Sequence, residues 1–337
     1  MMNIFFLHRG KKNIGSNRIY IDNLSRWINE KKISTKVSNI LEPNFSHYVL
    51  SKYSDIEDVN KIRSFSKQSK IGLIHPSDQT FKNRSILNKV DFYIVGSLEE
   101  KDYYLKYNSN IIRFPQIEEI PNYKKVHKNT DIIKIAYHGN LQHLEEMDRV
   151  LKSVLEKLSK NYKIKLYAVY DKSLGEWKFG RPNIDIEDID WSLENLIKYI
   201  TQSDIGIIPS TNNFILDSNI KKFQNTILKT LFKGRNGNDN DYIIRFKVTS
   251  NAGRAFVFHQ LGIPVVADFW PSHFEILGND SNGFIAHSFE GWYQSLEKLI
   301  INPLLRQKIS ESAQKNFEKA YDKEIWVNKF IDEIKKI

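Results

Sequence analysis

Short apolar runs alternate with amphipathic stretches along the chain, and the alternation occurs twice. Asn3-Ile4-Phe5-Phe6-Leu7 is a continuous apolar run, the pattern of a strand buried on both faces. A polar loop with Gly10 and Gly15 follows. Ser16 or Asn17 is then placed to cap a helix in which Ile19, Leu24, Trp27 and Ile28 share a face. Further strands are expected at 33–37, 70–74, 92–95 and 111–114, and a short helix at 99–107. Residues 115–131 carry Pro115, Pro121 and little apolar material, so the interdomain linker is expected there.

The pattern then restarts. A strand is expected at 133–137, a turn at His138-Gly139-Asn140, one helix at 144–158 and a strand at 164–169. Next come a helix at 193–201, a strand at 205–208 ending at Pro209, a helix at 252–261, a strand at 264–267 and a helix at 291–301. The last forty residues read as charged helix. Two successive βαβ trains predict an α/β protein with two Rossmann-like, doubly wound domains facing a cleft, at 1–125 and 126–320. Ligands of such sheets bind beyond the carboxyl ends of the strands. The loops after Leu7, Ile74, Tyr137 and Ile208 are therefore the candidate positions.

Composition narrows the chemistry. With 337 residues the chain has room for about two domains. It has no cysteine, which excludes a disulfide framework, thiol catalysis and Cys-ligated metal centres. The apolar opening at 1–7 is followed, not preceded, by His8, Arg9, Lys11 and Lys12, the reverse of a secretory signal. No apolar run approaches the ~20 residues of a membrane span. The expected compartment is the cytosol, with peripheral attachment at the inner face of a membrane as a further placement. The net charge of +10 is uneven: residues 1–130 hold 22 Lys and Arg against 13 Asp and Glu, whereas the rest holds 28 against 27. A basic first half suits an anionic partner. A compositional bias toward Lys, Asn and Ile explains the lysine count but not the asymmetry.

The densest chemistry is Arg245-Phe-Lys247-Val-Thr-Ser250-Asn251-Ala-Gly-Arg254, which runs into a helix that stops at Gly262 before Pro264-Val-Val-Ala-Asp268. A helix start offers unpaired backbone N–H groups and the positive dipole end. Lys247 and Arg254 add full charges, so the passage suits a diphosphate. An ordinary βα turn with Ser250 as cap is the alternative.

That passage, followed by Pro271 and Asn282-Gly283-Phe284, resembles the donor half of GT-B glycosyltransferases, in particular bacterial members with a Lys-x-x-Ser-Asn loop before the helix. Ile135-Ala-Tyr-His138-Gly139-Asn140 is similar to the opening of that half. Trp191–Ser210, with Glu194, resembles its segment beside the nucleobase. The stretch from Leu304 to Tyr321 resembles its terminal helices, and the resemblance implies that 321–337 returns to the N-terminal domain. The likeness covers roughly 132–337. In the first half, Gly15-Ser16-Asn17-Arg18 is similar to the acceptor-side glycine loop. The resemblance implies donor contacts at His138, Gly139, Asn140, Glu194, Arg245, Lys247, Ser250, Asn251 and Arg254. It implies acceptor contacts at Arg9, Gly15, Ser16 and Arg18.

Two departures from the family pattern stand out. Many retaining members carry two Glu residues eight positions apart before the Gly-x-Pro element, but the matching positions here are Thr249 and Val257. About thirty residues, 215–244, are also inserted after Pro209-Ser210. In them Ile220, Phe223, Ile227, Leu231 and Phe232 fall near one helical face amid lysines. Contact with an anionic membrane, packing on the domain and a lid are the three readings.

His75 precedes Pro76 at an expected strand end with Asp78 close by, so either is a candidate general base; a satisfied polar residue at a strand end is the alternative. The glycine spacing in 10–18 is not a dinucleotide fingerprint. No spacing suggests a metal site, and no cofactor is expected beyond a nucleotide-sugar co-substrate. The resemblance, together with the basic first half, thus implies metal-independent sugar transfer to a hydroxyl of a surface-glycan precursor, such as a lipopolysaccharide or capsule intermediate on a lipid carrier. Three rivals remain: a nucleotide-sugar epimerase of the same fold, a nucleic-acid-modifying glycosyltransferase, and a non-catalytic nucleotide- or glycan-binding module. Nucleic acid is not expected as a partner, because the aromatics are scattered rather than gathered as a stacking platform.

Overall fold

The computed structural model describes residues 2–10, 14–78, 81–148, 150–210, 251–278 and 280–337. The 215–244 insertion lies outside them. The chain forms two compact units. The first takes in residues up to Glu119, Asn251 and Tyr321–Ile337; the second runs from Ile120 and takes in Ala252–Ala320.

The first unit is a parallel six-stranded sheet of β1 (Asn3–Leu7), β2 (Ser34–Ser38), β3 (His47–Leu50), β4 (Lys70–Ile74), β5 (Phe92–Val95) and β6 (Ile111–Arg113). The order is β2-β1-β3-β4-β5-β6. The winding reverses between β1 and β3, which opens a crevice beyond their carboxyl ends. Ile4, Phe5, Phe6 and Leu7 are fully buried, as a central strand covered on both faces requires.

The helical stretch after β1 differs from the expectation. Neither Ser16 nor Asn17 is the cap. The helix starts at Gly15 behind Ile14, passes through a π-helical turn at Arg18–Asn23 and continues as Leu24–Glu30. Asn17 instead donates from Nδ2 to the carbonyl of Arg9 at 2.7 Å, fastening the loop that leaves β1. The terminal helix Lys323–Ile334 packs against Leu24–Glu30 and β6 within this unit. It buries Trp326, Val327, Phe330, Ile331 and Ile334. Each such side chain contributes about 1.5–3 kcal/mol of burial.

The second unit is a parallel sheet of β7 (Ile133–His138), β8 (Ile164–Tyr170), β9 (Asp185–Asp190), β10 (Ile205–Ile208), β11 (Val265–Asp268) and β12 (Phe284–Ala286). Its order, β12-β11-β10-β7-β8-β9, reverses between β7 and β10. The turns His138-Gly139-Asn140 and Pro209-Ser210 therefore flank the crevice of this sheet.

The single helix expected at 144–158 is broken. Leu141–Glu145 gives way to a 3-10 turn, Glu146–Asp148, and the helix resumes at Leu151–Leu158. The backbone of Gly180 lies against this break. A Cβ there would stand 2.6 Å from the carbonyl oxygen of Glu145 and 2.8 Å from the amide of Asp148. Arg306 is fully buried and donates to the carbonyls of Leu299, Ile300 and Lys128, closing the carboxyl end of Phe289–Ile301. Among the described residues, no helix is long and apolar enough to cross a membrane.

Candidate functional site

In the second unit, three sequence-predicted residues come together where the sheet reverses. β7 ends in His138, Gly139 follows with φ +143°, and Arg254 sits in the first turn of the helix Gly253–Gln260. A Cβ on Gly139 would meet Tyr137 Oη at 2.7 Å and Arg254 Cδ at 3.1 Å, so the glycine lets the arginine stem cross the β7 turn. Tyr137 donates from its hydroxyl to the carbonyl of Asn140 at 2.6 Å, and burial pushes its pKa up. Asn140 itself is exposed.

Arg254 donates from Nη1 to the carbonyl of Pro209 at 2.9 Å and makes no ion pair among the described residues. Burial lowers its pKa, while Tyr137 and Asp268 oppose that effect. A part-buried guanidinium without a carboxylate partner, at the amino end of a helix, is an anion-binding arrangement.

His138 donates a hydrogen bond here rather than carrying a charge. Burial, reinforced by the Arg254 charge, pushes its pKa down to about 3, and its Nε2–H bonds the carbonyl of Arg254 at 3.3 Å. The ring packs on Phe258 at 5.0 Å, so the neutral imidazole props the start of the helix. Glu194 lies apart from this group, exposed in the first turn of Leu193–Thr201. Arg245, Lys247 and Ser250 lie outside the described residues. Asn251 belongs to the first unit.

A cavity of about 120 Å³ opens in the same unit. Glu146, Val150, Leu151, Pro209, Ser210, Asp268, His287 and Trp292 line it. It lies beyond β10, β11 and β12, whose following residues include Ser210 and His287. Pro209 joins it to Arg254. Sequence reasoning missed this lining: Asp268 was visible only as a strand end, and Glu146 was hidden inside an expected helix.

In the first unit, His75 directly follows β4 in a left-handed backbone conformation, φ 46°, rare for a residue with a Cβ and concentrated at functional positions. Its Nδ1 meets Glu100 Oε2 at 3.1 Å, and Tyr20 packs edge-on against its ring at 4.6 Å. Glu100 is buried and also accepts from Ser77 Oγ at 2.5 Å and from the Gly96 amide at 3.0 Å. A carboxylate so supplied with donors holds the proton of His75 on Nδ1. Asp78 closes the short turn Pro76–Asp78. Glu100 carried no signal in the sequence beyond a place in a short helix.

Of the four residues expected at the acceptor, the two arginines are engaged locally. Arg9 forms a two-point ion pair with Asp58, at 2.5 and 3.3 Å, and donates to the carbonyl of Asn39. The hydrogen bond to Asp58 raises its pKa. Arg18 pairs with buried Glu118. Gly15 and Ser16 open the helix, and the buried Ser16 hydroxyl has no protein partner among the described residues. No group of three or more His, Asp or Glu that could hold a metal is gathered among the described residues.

No protein-family model matches the chain, and no curated protein does. Solved structures do. Anabaena Alr3699/HepE in complex with UDP and glucose superposes with a TM-score of 0.67 at 11% identity, covering 100% of both chains. Sucrose-phosphate synthase from Thermosynechococcus elongatus gives 0.64 at 9% identity over 100% of this chain and 99% of that one. A glycosyltransferase from Rickettsia africae gives 0.59 at 13% identity, covering 98% and 97%. With two parallel six-stranded sheets and these neighbours, the chain has the GT-B fold.

Proposed function

We propose that this chain is a glycosyltransferase that moves a sugar from a nucleoside diphosphate sugar to a hydroxyl of a surface-glycan precursor. The observation that carries the reading is Arg254: a part-buried cation without an ion-pair partner among the described residues, at a helix amino end where the second sheet reverses. One full-length neighbour of the same fold, Anabaena Alr3699/HepE, was solved both with UDP and glucose and with UDP-glucose, which supports a uridine diphosphate sugar as the first donor to test.

In this reading, the departing nucleotide carries the charge that develops as the glycosidic bond breaks. Arg254 and the positive end of the helix dipole stabilise it in place, a role a metal fills in other sugar transferases. The lysine-rich first half faces an anionic acceptor such as a lipid-linked glycan at a membrane surface. His75, oriented by Glu100, is the acceptor's proton acceptor in this reading.

The test is a thermal-shift panel of UDP, GDP, CDP and CMP on wild type and Arg254→Ala. A ligand that binds only the folded chain raises the midpoint by mass action. At least one nucleotide is expected to raise it for wild type and to lose most of that shift in the variant. A full shift in Arg254→Ala would remove the arginine from the donor site, and no shift with any nucleotide would remove the reading.

A further inference from the structure

The cavity beside Arg254 carries a chemistry that the missing glutamate pair leaves open. Ser210 and Trp292 both line it. Each is more than nine-tenths buried, at 8% and 3% exposure, and neither the hydroxyl nor the indole N–H has a protein partner among the described residues. Two donors that open onto a cavity of mixed polar and apolar lining can pair with an acceptor from outside the protein.

The opposite hydrogen-bonding sense is also present. Asp268 Oδ1 accepts from the Phe269 amide at 2.8 Å and from His287 Nδ1 at 2.9 Å, leaving Oδ2 without a protein donor among the described residues. Glu146 brings a second carboxylate to the lining. The cavity thus presents donors, acceptors and an aromatic side chain around a volume of about 120 Å³. That is the lining suited to a polyhydroxylated ring, whose hydroxyls both give and accept hydrogen bonds.

Position decides what such a ring would be part of. The Pro209 carbonyl that accepts from Arg254 belongs to a residue of the cavity wall, and Asp268 lies within Coulombic reach of the same guanidinium. A diphosphate seated on Arg254 places the sugar it carries beside this cavity. Two carboxylates in the wall then set a sign rule: a neutral sugar is accepted, and a sugar bearing its own carboxylate meets like charge.

We infer that the cavity lined by Ser210, Asp268, Trp292 and Glu146 is the sugar subsite, and that it selects uncharged sugars over uronic acids. This rests on the nucleotide-sugar reading above. The carboxylate on β11 takes the place of the absent pair ahead of Gly262.

Calorimetric titration of the full chain with UDP, UDP-glucose and UDP-glucuronate tests it. Wild type is expected to bind UDP-glucose at least about tenfold more tightly than UDP-glucuronate, the scale of one like-charge contact. Asp268→Asn is expected to shrink that ratio severalfold while binding UDP at least as tightly as wild type, because a negative charge near Arg254 is removed, which also reports that the variant is folded. Equal or tighter binding of UDP-glucuronate by wild type overturns the inference. So does a variant that keeps the ratio, or one that weakens UDP and UDP-glucose alike. Failure of wild type to bind UDP at all strikes instead at the donor reading itself.

Discussion

Gly139→Ala is the sharpest probe of how the second unit holds Arg254. The wild-type φ of +143° lies where residues with a Cβ are rarely found, and adopting it costs about 1–3 kcal/mol. The added methyl would also stand 2.7 Å from Tyr137 Oη and 3.1 Å from Arg254 Cδ. The tyrosine cannot move without loosening its 2.6 Å bond to the Asn140 carbonyl, worth a further ~0.5–1.5 kcal/mol. The sum is about 2–4 kcal/mol in a unit of roughly 200 residues, which corresponds to a midpoint fall on the order of 5–10 °C. Displacing the Arg254 stem should weaken UDP binding at least about tenfold as well. Differential scanning calorimetry with and without UDP reads both quantities. A midpoint within about 1 °C of wild type, together with an undiminished UDP shift, would show that the glycine does not constrain the arginine.

Three further outcomes are expected. Arg306→Met should cost about 3 kcal/mol, because it strands the carbonyls of Leu299, Ile300 and Lys128 without their buried donor; urea unfolding checks this, and an unchanged midpoint would contradict it. Acid should destabilise the second unit before its carboxylates titrate. Burial pushes His138 down to about 3 and His127, His259 and His273 each to about 4, all below the ordinary 6.5. Above pH 6.5 both folded and unfolded states are neutral. As pH falls below it, the unfolded state takes up protons that the folded state refuses, and stability drops by ~1.4 kcal/mol per pH unit for each histidine. Urea midpoints at pH 7 and pH 5.5 test the sign, and an equal or higher midpoint at pH 5.5 refutes it. Finally, Glu100→Gln should lower the transfer rate at least about tenfold while leaving the UDP midpoint shift in place, since it frees the His75 ring without touching the second unit. Loss of the UDP shift in that variant would point to general misfolding instead.

What the chain discloses in sequence follows from burial. β1, β4, β5 and β10 lie inside their sheets and read as near-continuous apolar runs, so their bounds are plain. β9 is an edge strand written Asp-Ile-Glu-Asp-Ile-Asp, and that acidic pattern concealed it. Its place beside β8 is supported by Lys165, which reaches Glu187 at 2.9 Å across the pair, a contact that no linear pattern displays. β3 and Ile56–Phe65 are hard to read for a related reason: four residues are too few to show a period, and the helix announces itself mainly through the Asp55–Asp58 capping box.

The candidate site divides along the same line. Gly139 and Arg254 belong to turns and helix starts, where residue type alone limits what the backbone can do, and the structure brings them within contact. Asp268, Glu146, Ser210 and Trp292 come from four separate segments, and each looks ordinary in its own sequence neighbourhood. Their joint meaning arises only when the order β12-β11-β10-β7 sets the ends of those strands side by side. A site built by topology rather than by a local motif is also one in which a missing motif carries little weight. Under the proposed sugar subsite, a helix start without paired glutamates need not lack a carboxylate nearby, because the neighbouring strand end can supply Asp268.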